Sequence, residues 1–220
     1  MISWELHVER WKDCTLCPLH KQRDRIVLAK GTVPCDILFC GEAPGASEDA
    51  LGLPFVGPAG KRLDWLIEQA ILSTVSLAYC NLTCCFPALA KARGDNEPER
   101  EEILACRPRL DEFINVAQPR LIVCVGSLAT EYVDHSGTVP CADIVHPAAT
   151  FHMKAVQAQQ VLQHAVVVLR NAVEDMLQKP RCDWVEWGMK RREIHAGKSK
   201  REQIAAAYDE AIADADGTPF

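Results

Sequence analysis

No apolar run in this chain of 220 residues reaches the roughly 20 residues that a membrane-spanning helix needs. The opening stretch, MISWELHVERWKDC, lacks the basic, apolar and small-residue blocks of a secretory signal. No internal repeat and no low-complexity tract is present, so the chain reads as a set of distinct elements. Positive charge is also in short supply. Its 24 Lys and Arg against 30 Asp and Glu give a formal net charge of −6. That balance argues against a generally basic nucleic-acid coat and leaves room only for a local basic groove. The expectation is a cytoplasmic protein, monomeric and without a membrane partner.

What the chain has in quantity is cysteine, eleven in all. In a reducing compartment these are metal ligands or small core residues rather than disulfides. Cys40, Cys80 and Cys124 fall in strand-like apolar runs, where a thiol behaves as a small hydrophobe. Cys35, Cys84, Cys141 and Cys182 have no partner at a recognisable spacing. Cys14 and Cys17 differ, because C-x-x-C followed by Pro18 lets two thiolates grip one metal centre. Candidate partners are Cys85 in NLTCCFP and Cys106 in ILACRP. Four thiolates suit zinc or an iron–sulfur cluster equally, and spacing does not decide between them.

Strand-like and helix-like runs alternate. Strands are predicted at 36–40, 77–82, 121–125 and 142–145, and helices at 61–72, 98–116, 127–133 and about 153–178. Such alternation implies an α/β fold, a parallel sheet with helices on both faces. Each strand ends on something polar: Gly41-Glu42, Asn81, Gly126-Ser127 and His146-Pro147. After the first strand runs a long glycine- and proline-rich loop, Gly41 to Lys61, which carries Glu42, Glu48 and an exposed-looking Phe55. Loops at the carboxyl ends of parallel strands are where open α/β sheets bind ligands, and a phenylalanine supplies a stacking face for a flat ligand. The chain divides into a domain at 1–178 and a region at 179–220. From Lys179 to Arg201 eight Lys or Arg stand against three acids, around Trp184 and Trp187. A capping box at Ser199–Glu202 then opens a C-terminal helix.

The ordered set CTLCPLH, ILFCGEAPGASED, GLPFVGPAGKRLDWL, YCNLTCCFP, EREEILACRPRL, LIVCVG and IVHPAA resembles the iron–sulfur, family 4-type uracil-DNA glycosylases and the wider uracil-DNA glycosylase superfamily. The pieces run from about residue 14 to 149. The resemblance implies a three-layer α/β/α fold with a short central parallel sheet, extended here by a C-terminal helical appendage. It implies a monofunctional DNA glycosylase that removes uracil, or a related altered pyrimidine, from single- or double-stranded DNA. The alternative is a non-catalytic or modified-base-specific relative that keeps the base pocket. Cys14, Cys17, Cys85 and Cys106 match the family's four ligands, which favours a structural 4Fe–4S cluster over zinc. Phe55 matches the aromatic that stacks on the flipped base, and Asn81 the amide that reads its polar edge. Ala43 and Gly45 fall in the same base-binding loop. Glu42 and Glu48 match the acids of the first motif and His146 the histidine of the second, giving these three the catalytic roles. Lys61, Arg62 and Pro147 are the expected DNA contacts, with Lys91, Arg93 and the basic tail adding grip.

Chemistry fits those roles. A base must leave the duplex stack before its glycosidic bond can be attacked. The Asn81 amide offers a donor and an acceptor, the pattern that uracil O4 and N3–H require. A donor from His146 at O2 would stabilise the departing anion, and a carboxylate from Glu42 or Glu48 could orient water. Ala43 stands where the best-known branch has Asp, so leaving-group stabilisation has to carry more of the mechanism. Cys84 replaces a lysine usual in the family, and Asn96 an arginine. The segment ALAKARGDNEP has no histidine, so covalent trapping of DNA is not expected. KRREIH, at 190–195, is read as a coincidental likeness to the trapping branch.

Overall fold

A computed structural model of the chain describes residues 2–71, 74–88, 97–133 and 139–180. Five strands form one sheet: β1 (Lys30–Gly31), β2 (Ile37–Gly41), β3 (Leu77–Asn81), β4 (Leu121–Val125) and β5 (Cys141–Ile144). Their spatial order is β1–β3–β2–β4–β5. β3, β2, β4 and β5 are mutually parallel. β1 joins antiparallel at the edge, with Lys30 opposite Tyr79. The sheet is therefore mixed rather than wholly parallel, because a two-residue edge strand is too short to announce itself by alternation.

Among the described residues six α-helices accompany the sheet: α1 (Trp4–Trp11), α2 (Ala46–Leu51), α3 (Pro58–Ala70), α4 (Arg100–Ala117), α5 (Ser127–Tyr132) and α6 (Ala155–Gln178). Strand residues alternate between two buried faces, which is why each strand reads as a nearly unbroken apolar run. Leu38, Cys40, Ala78, Cys80, Ile122 and Cys124 pack with Ile103, Leu110 and Phe113 of α4 and Ala129 of α5. Ile37, Phe39, Val123 and Ile144 pack on the other face with Leu63 and Leu66 of α3 and Leu169 and Val173 of α6. The result is three layers, α/β/α. Cys40 lies opposite both Cys80 and Cys124 across neighbouring strands, and all three are buried small hydrophobes, as expected.

Two features position the site. β3 and β4 flank β2 on opposite sides, so the sheet order reverses there and a crevice opens at the carboxyl ends of β2 and β4. The amino-terminal segment is fastened to α4 through Glu112. Its Oε1 accepts from His7 Nδ1 at 3.0 Å and Trp11 Nε1 at 2.8 Å, while Arg10 donates to Oε2. That clasp delivers Cys14 and Cys17 to the rest of the chain. No described helix is long and apolar enough to cross a membrane. The C-terminal helix and basic tail, together with Lys91, Arg93 and Asn96, lie outside the described residues.

Candidate active site and metal centre

Two glycines at the crevice mark where side chains from four segments meet. Gly41 ends β2 opposite Asn81 of β3. A β-carbon on Gly41 would lie 2.5 Å from Asn81 Oδ1 and 2.6 Å from Phe55 Cζ, so amide and ring converge on the bare glycine. Gly126, just beyond β4, has φ +101°, a conformation that L side chains rarely adopt. A β-carbon there would lie 2.2 Å from Glu42 Oε1 and 3.1 Å from His146 Cβ. The loop acid and the histidine thus meet over one glycine, and the aromatic and the amide over the other.

Phe55 departs from the exposed aromatic that the sequence suggested. It is 7% exposed, and its φ of 53° puts a bulky residue in left-handed space, a strain that clusters at ligand sites. Two contacts hold it. Lys30 Nζ donates to the Phe55 carbonyl at 2.9 Å, and Gly60 passes so close that a β-carbon on it would sit 2.3 Å from the same oxygen. The ring lies 5.9 Å from Tyr79, which stacks on Phe39 at 5.3 Å. Burial against these aromatics and the sheet explains the loss of exposure. Lys30 also lies over the Tyr79 ring, and nothing in the sequence singled it out.

The two loop acids do different work. Glu48 Oε1 accepts the N–H groups of Val56 at 2.9 Å and Gly57 at 2.7 Å, and Oε2 accepts that of Gly45 at 3.2 Å. Its carboxylate is thus engaged by three N–H groups of the loop backbone. The Gly45 N–H is likewise taken up by Glu48 rather than left for a base. Ala43 is half-buried beside Glu42. Glu42 accepts the Leu128 N–H at the start of α5, and burial, followed by the charge of Glu97, raises its pKa.

His146 follows β5 and caps the 3₁₀ turn Pro147–His152. Its Nδ1 faces the Ala148 N–H at 3.2 Å and must accept, which assigns the ring proton to Nε2. Burial lowers its pKa from the ordinary value of 6.5, with Glu48 opposing. The imidazole is therefore a neutral donor at physiological pH. Pro147, expected to contact DNA, is buried, and its carbonyl accepts from Thr150 Oγ1 at 2.7 Å. As the first residue of a helical turn, proline packs inward. Lys61 is exposed. Arg62 is drawn onto that same turn, donating to Thr150 and lying 4.3 Å over the Phe151 ring, which is 44% exposed.

About 30 residues of amino-terminal chain, β3's exit and α4 together build the second site. Cys14, Cys17, Cys85 and Cys106 line one small pocket, with Arg23 and Cys84 in its wall. Cys84, unassigned from sequence, lies 3.6 Å from Cys106 sulfur to sulfur. All four candidate donors are thiols, a set that suits an iron–sulfur cluster or zinc. A hydrogen bond from Cys84, then Arg109, brings the Cys106 thiol down to about 5, and Cys84 with Arg23 brings Cys85 to about 7. Arg23 Nη1 reaches Cys85 Sγ at 3.0 Å. Burial holds Cys17 up at about 12 and raises Cys14. Cys106 and Cys85 are thus shifted toward the thiolate form, whereas burial opposes ionisation of Cys17 and Cys14.

Comparison with known proteins gives a consistent answer. Residues 29–171 match the family model described as the uracil DNA glycosylase superfamily. The curated Type-4 uracil-DNA glycosylase of Saccharolobus solfataricus is 37% identical over 134 residues, covering 60% of each chain. That of Thermotoga maritima is 36% identical over 128 residues, 58% of this chain and 64% of the relative. The matched region spans about 60% of the length of these relatives.

Proposed function

The chain belongs to the uracil-DNA glycosylase superfamily, and we propose that it hydrolyses the N-glycosidic bond of uracil in DNA, leaving an abasic site for repair. The observation that carries the reading is the meeting of Phe55, Asn81, Glu42 and a neutral His146 over two strand-end glycines. A uracil rotated out of the duplex stacks on Phe55, and Asn81 donates to O4 and accepts from N3–H. Bond cleavage leaves negative charge on the base. The His146 Nε2–H donates to O2, stabilising that anion more in the transition state than in the ground state. Glu42 faces the sugar, where its carboxylate offsets developing positive charge or orients the water. Glu48 is a positioning residue that shapes the loop around Phe55. The reaction is hydrolytic and monofunctional, with the Lys30 amine engaged by the Phe55 carbonyl.

Cys14, Cys17, Cys85 and Cys106 would hold a 4Fe–4S cluster, which when bound supplies a structural tie between the amino-terminal segment and the exit of β3. DNA, single- or double-stranded, is the proposed partner. Lys61 and Arg62 lie along its path, and the basic stretch 179–201 follows the domain at 1–178. Purified protein is expected to be brown and to sensitise a uracil-containing oligonucleotide to alkali. Iron-loaded protein that leaves both single- and double-stranded substrates intact would favour a non-catalytic binding role.

Two further results are expected. Gly41→Ala should displace Asn81 and Phe55 and cut single-turnover excision by about 10²-fold, consistent with the cost of misplaced groups. An unchanged rate would mean that those groups do not read the base. The pH profile should be flat down to about 6.5 and fall only below it, because protonation of His146 has to break its bond to Ala148. With its folded-state pKa lowered, the neutral ring's stabilising contribution is complete above 6.5 and is lost as pH falls below it. A rate that rises on acidification through this range would assign the work to an imidazolium.

A further inference from the structure

Arg109 is the largest fully buried side chain in the described part of the molecule, at 0% exposure. It sits on α4 three residues after Cys106, hence on the same helix face. Its Nη2 donates to the carbonyls of Asn81 at 2.6 Å and Leu82 at 2.8 Å and lies 3.6 Å from Cys106 Sγ. Its Nε and Nη1 have no hydrogen-bond partner. A guanidinium cannot shed its proton, and a buried cation left without an anion costs several kcal/mol. The acidic groups that act on it most strongly are the thiols of Cys106, Cys84 and Cys80. Two of these line the metal cavity.

We infer that Arg109 is the buried counter-charge of the metal cluster and, through the same guanidinium, the strut that holds Asn81 at the base pocket. The inference rests on the proposed cluster and goes beyond it, because it gives the cluster a mechanical route to the chemistry. Four thiolates around a cluster core would carry net negative charge next to this buried cation, whose Nη2 lies 3.6 Å from Cys106 Sγ. With the cluster in place Arg109 is neutralised and stays where its Nη2 can hold the Asn81 and Leu82 carbonyls. The Asn81 and Leu82 carbonyls lie just upstream of Cys85, so one arginine braces the short segment joining base reader to metal ligand. Arg109 is thus a positioning residue, acting through Asn81 and Cys106 without touching the substrate.

The test compares Arg109→Gln and Arg109→Lys with the unmodified, iron-loaded protein by iron content per chain and by the cluster's reduction midpoint. Removing a nearby positive charge disfavours adding an electron. Arg109→Gln is expected to shift the midpoint to more negative potential or to lose iron, and Arg109→Lys to restore both. A glutamine variant too unstable to purify beside a lysine variant with normal iron and midpoint has the same meaning. Glutamine protein with the unmodified iron content and midpoint overturns the inference, and so does equal impairment of both variants. Unmodified protein purified without iron would overturn the cluster reading itself and Arg109's role with it, whereas insensitive variants of an iron-loaded protein overturn Arg109 alone.

Discussion

Asn81→Ala is expected to lower single-turnover uracil excision by about 10²–10³-fold, equivalent to roughly 3–4 kcal/mol of lost transition-state stabilisation. The amide is 3% exposed and sits at the end of β3, where register with Gly41 fixes its position. Truncation leaves O4 and N3–H of a flipped uracil without partners in a site that has excluded water, so the cost exceeds that of a surface hydrogen bond. Arg109 holds the backbone carbonyl of residue 81 rather than its side chain, so the strand end should survive the substitution. The checks are the rate itself and an unchanged thermal midpoint. A variant that excises uracil at the original rate would remove Asn81 from the pocket.

Cys85→Ser is expected to strip the iron and to destabilise the fold by about 3–5 kcal/mol, the range for breaking a buried charged pairing. For a domain of this size that corresponds to a fall of about 6–20 °C in Tm. Cys85 is 4% exposed and packs with Trp11, Leu19, Leu28 and Cys106 in a small core beneath the amino-terminal segment. Losing the cluster removes negative charge beside Arg23, which donates to Cys85, and beside Arg109, which donates to Cys106. The Glu112 clasp shares Trp11 with that core but also holds His7 and Arg10, and the two main core clusters lie on the sheet faces, so the three-layer domain should persist. Cys84→Ser is the informative contrast. Cys84 donates a hydrogen bond and is not assigned as a ligand, so this variant should keep its iron. Iron and circular dichroism together read both outcomes, and the opposite pattern would transfer the ligand role from Cys85 to Cys84.

How much of this was legible in the sequence depended on which force decided each element. β4 is found at Leu121–Val125, residue for residue as predicted, because a central parallel strand is buried on both faces and shows an unbroken apolar run. β2, β3 and β5 shift by about one residue at their ends. α1 escaped notice because its inward residues are His7 and Trp11, held by a carboxylate rather than by an apolar stripe. α2 has six residues inside a glycine- and proline-rich loop, too few to show a period. Asn81, Glu42 and His146 were legible because each is a polar residue stopping or just following an apolar strand. Lys30, Cys84 and Arg109 were not. Their partners lie 25, 22 and 28 residues away in sequence, so only the folded chain brings their chemistry to the site. Phe55 and Glu48 were legible as loop residues, but their burial and backbone bonds were not, because those come from the loop folding back on itself.

The central claim is that one pocket reads uracil through Asn81 and releases it with the help of a neutral His146. It is tested most directly by single-turnover cleavage of matched oligonucleotides that differ at one position, uracil or cytosine. Cytosine offers an amino donor and a ring-nitrogen acceptor where uracil offers the reverse, and so leaves the amide mispaired. The prediction is alkali-sensitive sites at uracil and none at cytosine. Equal cleavage of both bases, or cleavage of neither by iron-loaded protein, would contradict it.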